Sequence, residues 1–151
     1  MKTIFLILLI VMPDATLLNT RTDSVRHDYE KILRSVLKNI KESKIDSLEY
    51  CIPGTRSEAI LYFSCDYDKD LSSAFQSLQQ NLVDSSIKGD AGLLTRYLYL
   101  SEFVDGYFAE DYLINIDKIG RSNPGLLCST LANCDESKIR RLATAKSNYC
   151  K

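Results

Sequence analysis

No tryptophan occurs in the sequence, and histidine occurs once, at His27. Any Ser-His or Cys-His catalysis would have to use that one imidazole. His27 falls in the first turn of an amphipathic segment, on the side away from the apolar stripe, where a solvated histidine is expected. The Gly-x-Ser-x-Gly elbow, the phosphate-binding glycine loop and the zinc-binding helix motif are all missing. The chain therefore reads as a non-enzymatic protein with no cofactor.

Glycine and proline are also scarce, at six and three residues, and they sit between apolar-periodic segments. No alternating run of strand length lies between turn residues, which argues against a strand-rich fold. Neither sign of charge is in excess, with 19 Lys and Arg against 20 Asp and Glu. Bulk charge thus gives no reason to expect a nucleic acid partner. After the first residues no long apolar run follows, so no membrane span is expected.

The most chemical-looking stretch is Ser64 to Phe75, in which Asp66, Asp68 and Asp70 alternate. A helix-loop-helix calcium site needs glycine at loop position 6 and glutamate at position 12. Counted from Asp66, those positions hold Leu71 and Ser77. The aspartates are expected instead to cap the helix that follows. No metal site is expected elsewhere, because no cysteines form a Cys-x-x-Cys pair and His27 is distant from them in sequence.

Among the features present, the first is a charged start at Lys2 followed by nine apolar residues from Ile4 to Met12, then Pro13 and Asp14. That order fits a secretory signal, assigned to residues 1–15 with an uncertain cut site. Residues 16–151 form one expected helical domain, secreted and extracellular. Five cysteines, Cys51, Cys65, Cys128, Cys134 and Cys150, are disulfide candidates in such a chain. Five is odd, which leaves one thiol and a route to a covalent dimer.

Apolar residues at three- and four-residue spacing predict helices. Val25, Tyr29, Ile32, Leu33, Val36, Leu37 and Ile40 mark the first, with Asp23 or Ser24 as cap and a continuation through Ile45 and Leu48. Thr55 and Glu58 form a capping-box pattern for a short buried helix over 56–65. Leu71, Phe75, Leu78 and Leu82 mark the next helix, to about Ser86. Asp90 caps a long helix carrying Leu93 to Phe108 and onward, kinked at Gly106 and ended by the segment from Gly120 to Gly125. A short turn covers Leu126 to Leu131, and a last helix over 135–149 turns Ile139, Leu142 and Ala143 inward. The fold class is all-α: a disulfide-braced up-and-down bundle of about four main helices plus short ones.

Helix geometry restricts the cysteines. A helix over 135–149 holds Cys134 and Cys150 about 22 Å apart, beyond the about 7 Å of a disulfide. The favoured arrangement groups Cys51, Cys65, Cys128 and Cys134 at one end, with Cys150 as the spare thiol. A pairing of Cys65 with Cys150 stays open.

Two surfaces are candidate binding sites. His27, Lys31, Arg34, Lys38 and Lys41 fall on one side of the first helix as a basic ridge, with Glu30 and Glu42 off it. Such a ridge suits an acidic protein, a sulfated glycan or an anionic membrane surface. Tyr99, Glu102, Asp105, Glu110, Asp111 and Tyr112 form a tyrosine and acid pattern suited to protein contact. The function expected is binding of another protein, extracellular or of a host, as a ligand, effector or inhibitor. The alternative is a carrier of a small apolar ligand in a helical pocket.

Overall fold

The computed structural model describes residues 28–40 and 48–150. His27, Lys41, the 1–15 segment expected to be a signal and the expected caps Asp23 and Ser24 lie outside the described residues. Every regular element among the described residues is helical. Helix α1 covers 28–38 and buries Tyr29, Leu33 and Leu37, with Ile40 just beyond it. The apolar stripe is narrower than its spacing predicts, because Ile32 is 43% exposed. The Tyr29 hydroxyl donates to the Cys51 carbonyl at 2.6 Å, which ties α1 to the 3-10 turn Glu49–Cys51.

Helix α2, Arg56–Ser64, starts at the expected capping box. The Glu58 N–H donates to Thr55 Oγ1 at 3.3 Å, and Glu58 Oε2 accepts from the Thr55 and Gly54 N–H groups. The helix is only half buried. Ala59 and Tyr62 face inward, whereas Ile60 faces solvent.

Helix α3, Ser72–Ile87, carries no side-chain cap at Leu71. The expected capping by Asp66, Asp68 and Asp70 is therefore corrected. Asp68 spends its carboxylate on the Asp70 N–H at 2.9 Å, and its carbonyl accepts from Ser72. It shapes the turn before the helix rather than the helix end. Gly89, at φ 114°, makes the turn to α4, Ala91–Tyr99, and Asp90 caps that helix through the Leu93 N–H at 2.9 Å.

The long helix expected from Asp90 does not form. It stops at Tyr99, passes through the 3-10 turn Leu100–Glu102, and restarts as α5, Gly106–Ser122. A tertiary contact explains the break. The Tyr112 hydroxyl, on α5, donates to the Leu98 carbonyl at 2.9 Å, with the Tyr97 carbonyl at 3.3 Å. Those carbonyls would otherwise accept from residues 101 and 102 in a continuing helix. Ser101 is drawn away too, donating its hydroxyl to the Lys138 carbonyl at 2.6 Å.

Helix α5 runs through Gly120 rather than ending there. Only Asn123 separates it from α6, Pro124–Asn133. Asn123 accepts from the Leu126 N–H and donates to the Ile87 carbonyl, while Pro124 takes the first helical position, where no N–H is needed. Helix α6 is accordingly longer than the turn expected over 126–131. The last helix is shorter: α7 covers only Ala143–Tyr149, preceded by the 3-10 turn Arg140–Leu142. Ile139 and Leu142 are buried as expected, but Ala143 is exposed.

In the core, α3 touches α4 and α5, α6 touches the same two, and α7 closes on α5 and α6. Gly120 makes the last contact tight, since a Cβ there would meet the Tyr149 ring at 2.6 Å. Cys128 and Cys150 form a disulfide with Cα atoms 5.2 Å apart. This overturns the reading of Cys150 as spare and its alternative pairing with Cys65. The reason is the 135–142 segment, which forms turns and one 3-10 turn in place of a continuous α-helix and lets the chain double back onto α6. Cross-linking a loop of this length stabilises by about 3 kcal/mol in the chain-entropy account. Cys65 and Cys134 are buried thiols.

Two predictions follow from these contacts. Tyr112→Phe removes this buried hydrogen bond while the Leu100 N–H still reaches the same carbonyls, and it should cost about 0.5–1.5 kcal/mol in urea unfolding; an unchanged midpoint would remove Tyr112 as the cause of the helix break. Non-reducing tryptic mapping should recover the peptide 122–138 linked to 147–151, a link that survives Cys134→Ser and disappears in Cys128→Ser. The reverse pattern would place the bond on Cys134.

Candidate functional site

Lys31, Arg34 and Lys38 are exposed on α1, but the ridge they form is interrupted. Arg34 Nε lies 2.9 Å from Glu30 Oε1, and its Nη1 lies 3.9 Å from Asp68 Oδ2. The Glu30 hydrogen bond raises the guanidinium further above its ordinary range. Glu30 therefore does engage the ridge, contrary to the expectation that it lies off it. Lys31 and Lys38 have no carboxylate within 4 Å among the described residues.

The tyrosine and acid pattern is not one surface. Tyr112 is buried at the α4 terminus. Tyr99 faces the 134–138 segment, where its hydroxyl accepts from the Asp135 N–H and Lys138 Nζ lies 5.2 Å from its ring centroid. Glu102 and Asp105 are exposed in the connection between α4 and α5, and Glu110 and Asp111 on α5.

A different aromatic surface is present. Phe108 on α5 sits among three rings: Phe63 at 4.6 Å, Tyr67 at 5.7 Å and Tyr107 at 5.9 Å. Tyr67 is 71% exposed and Tyr107 62%. Next to them opens a groove of about 290 Å³ between the end of α2, α3 and α5. Phe63, Tyr107 and Phe108 form its aromatic wall, and Asp66 and Asp111 contribute carboxylates. Asp111, and more weakly Asp66 and Tyr67, hold the Tyr107 phenol above its ordinary range.

The lining is tied to buried tyrosines beneath it. Gln79 Nε2 donates to the Tyr62 hydroxyl at 2.8 Å, and Asn115 Nδ2 donates to the Tyr97 hydroxyl at 3.2 Å. Burial pushes both phenols up, so they stay protonated and neutral. The groove can stack, accept hydrogen bonds and present negative charge.

Sequence reasoning missed Tyr67, Tyr107 and Phe108 as a unit. The available signal was Tyr67 itself, an aromatic ring set among alternating aspartates in a stretch too polar to be core. No family model, no curated protein and no solved structure matches the chain.

An exposed ring and a buried one should respond differently to truncation. Tyr107→Ala should cost less than about 1 kcal/mol in urea unfolding, whereas Tyr62→Ala should cost about 3–5 kcal/mol. Equal costs would mean that Tyr107 is structural and not part of an available surface.

Proposed function

We propose that the chain is a secreted, non-enzymatic helical protein that acts by binding another protein through the groove lined by Tyr107 and Phe108, with Tyr67 beside it. In this reading residues 1–15 are a secretory signal, and residues 16–151 are one disulfide-braced helical bundle that works outside the cell. The observation that carries the proposal is the pair of exposed rings, Tyr67 and Tyr107, packed on half-buried Phe108 beside the groove that Tyr107 and Phe108 line. Tyrosine is favoured where interfaces concentrate their energy, because it covers a large area with few rotors and keeps a polar handle. Clustered exposed rings are costly to leave in water without a role.

The size of this groove favours a protein side chain over a carried ligand as its occupant. The groove lies at the small end for a drug-sized ligand, and a site of about 290 Å³ suits one or two partner side chains. Lys31 and Lys38 offer a second, weaker contact for an anionic glycan or an acidic partner surface.

A photo-reactive amino acid placed at Tyr107, with a control at exposed Arg141, tests this in the fluid into which the protein is released. A discrete protein adduct at 107, absent at 141 and lost on Phe108→Ala, is the expected result. A reproducible small-molecule mass with no protein adduct would favour the carrier instead. Secreted material should also lack residues 1–15 by intact mass.

A further inference from the structure

We propose that the Asp66 and Asp111 groove receives an arginine or lysine side chain, presented on a basic segment of the partner protein. This rests on the reading that the chain acts by binding another protein, and it names the chemistry of that contact.

The carboxylates supply the first argument. Asp66 and Asp111 line the same groove, and neither has a cation within 4 Å among the described residues. Asp68, two positions along, is already engaged by Arg34. An apolar occupant would strip water from both acids and return nothing, whereas a cationic one meets them with charge-assisted hydrogen bonds.

Aromatic chemistry supplies the second. Ring faces carry negative potential and attract ammonium and guanidinium groups. This fold already uses that attraction internally, with Lys138 Nζ 5.2 Å from the centroid of Tyr99 and Arg96 6.0 Å from that of Tyr50. No such cation lies over Tyr107 or Phe108 among the described residues. Tyr107 combines an exposed ring with an adjacent carboxylate, so the two attractions converge on one place.

The test uses the full secreted chain with oligoarginine, oligolysine and oligoglutamate peptides of equal length. Binding is followed by NMR of the Tyr and Phe ring resonances at low and high salt. Both basic peptides should shift Tyr107 and Phe108, more weakly at high salt, and oligoglutamate should not. Asp66→Asn with Asp111→Asn should weaken oligoarginine binding about tenfold, and Phe108→Ala about fivefold. Glu136→Gln, a charge removed elsewhere, should change it less than about twofold. Asp111→Asn alone serves if the double variant does not keep the parent urea midpoint.

Equal weakening by Glu136→Gln, or unmoved ring resonances, would overturn the proposal. So would self-association of the protein alone that Lys31→Glu with Lys38→Glu abolishes, because the occupant would then be a second copy. A partner captured at position 107 regardless of Asp66 and Asp111 would sink the cation contact and leave protein binding intact. Aspartate-dependent peptide binding with no partner captured would do the reverse, removing the protein occupant named here.

Discussion

The Tyr112 hydroxyl, donated to the carbonyls at the end of α4, is the contact on which the arrangement of the other parts depends. It stands where two helical hydrogen bonds would otherwise continue, so α4 and α5 are separate helices joined through the turn Leu100–Glu102. A single straight helix would carry Tyr107 and Phe108 well beyond the end of α4, at about 1.5 Å per residue. The break brings the start of α5 back to Phe63 and Tyr67, and the aromatic groove is the product of that return.

What was legible in the sequence was mostly local. Thr55 with Glu58 and Asp90 have short polar side chains that can satisfy only nearby N–H groups, so their neighbours in sequence reveal their partners. Phe75, Leu78 and Leu82 on α3 and the turn at Gly89 could be read for the same reason, whereas the buried Val83, Ser85 and Ser86 could not. The helix break could not be read, because periodicity continues across it and its cause comes from a residue on the next helix. The final segment failed similarly. Ile139 and Leu142 have helical spacing, yet Ser101 takes the Lys138 carbonyl and the segment is a turn. That one local difference also brings Cys150 to Cys128, because the separation expected from a continuous helix over 135–149 does not apply.

The candidate surfaces show the same division. Placing Lys31, Arg34 and Lys38 on one face needed only the helical repeat. That Arg34 is engaged by Asp68 depends on the contact between α1 and the turn before α3. Tyr99 and Tyr112 were grouped with nearby acids because they are close in sequence. Folding sends Tyr112 inward and gives Tyr99 the Lys138 ammonium. Tyr67 lies far in sequence from Tyr107, so their approach through Phe108 could be found only in three dimensions.

The buried tyrosines bear on how well the groove is made. Tyr62, Tyr97 and Tyr112 are all core residues, and each hydroxyl has a partner. A leucine core would pack as tightly but would not specify where Gln79 and Asn115 point. With phenols beneath them, both amides are held by hydrogen bonds from below, in a medium where an unmade bond is costly. The polar part of the groove is thus ordered before anything enters it. An ordered site loses less entropy on binding than one assembled by the ligand. The exposed Tyr67 and Tyr107 rings are held less tightly, by ring contacts and, at Tyr107, by Asp111. The site therefore combines a fixed polar floor with an adjustable aromatic rim, which suits a long, flexible side chain better than a rigid ligand.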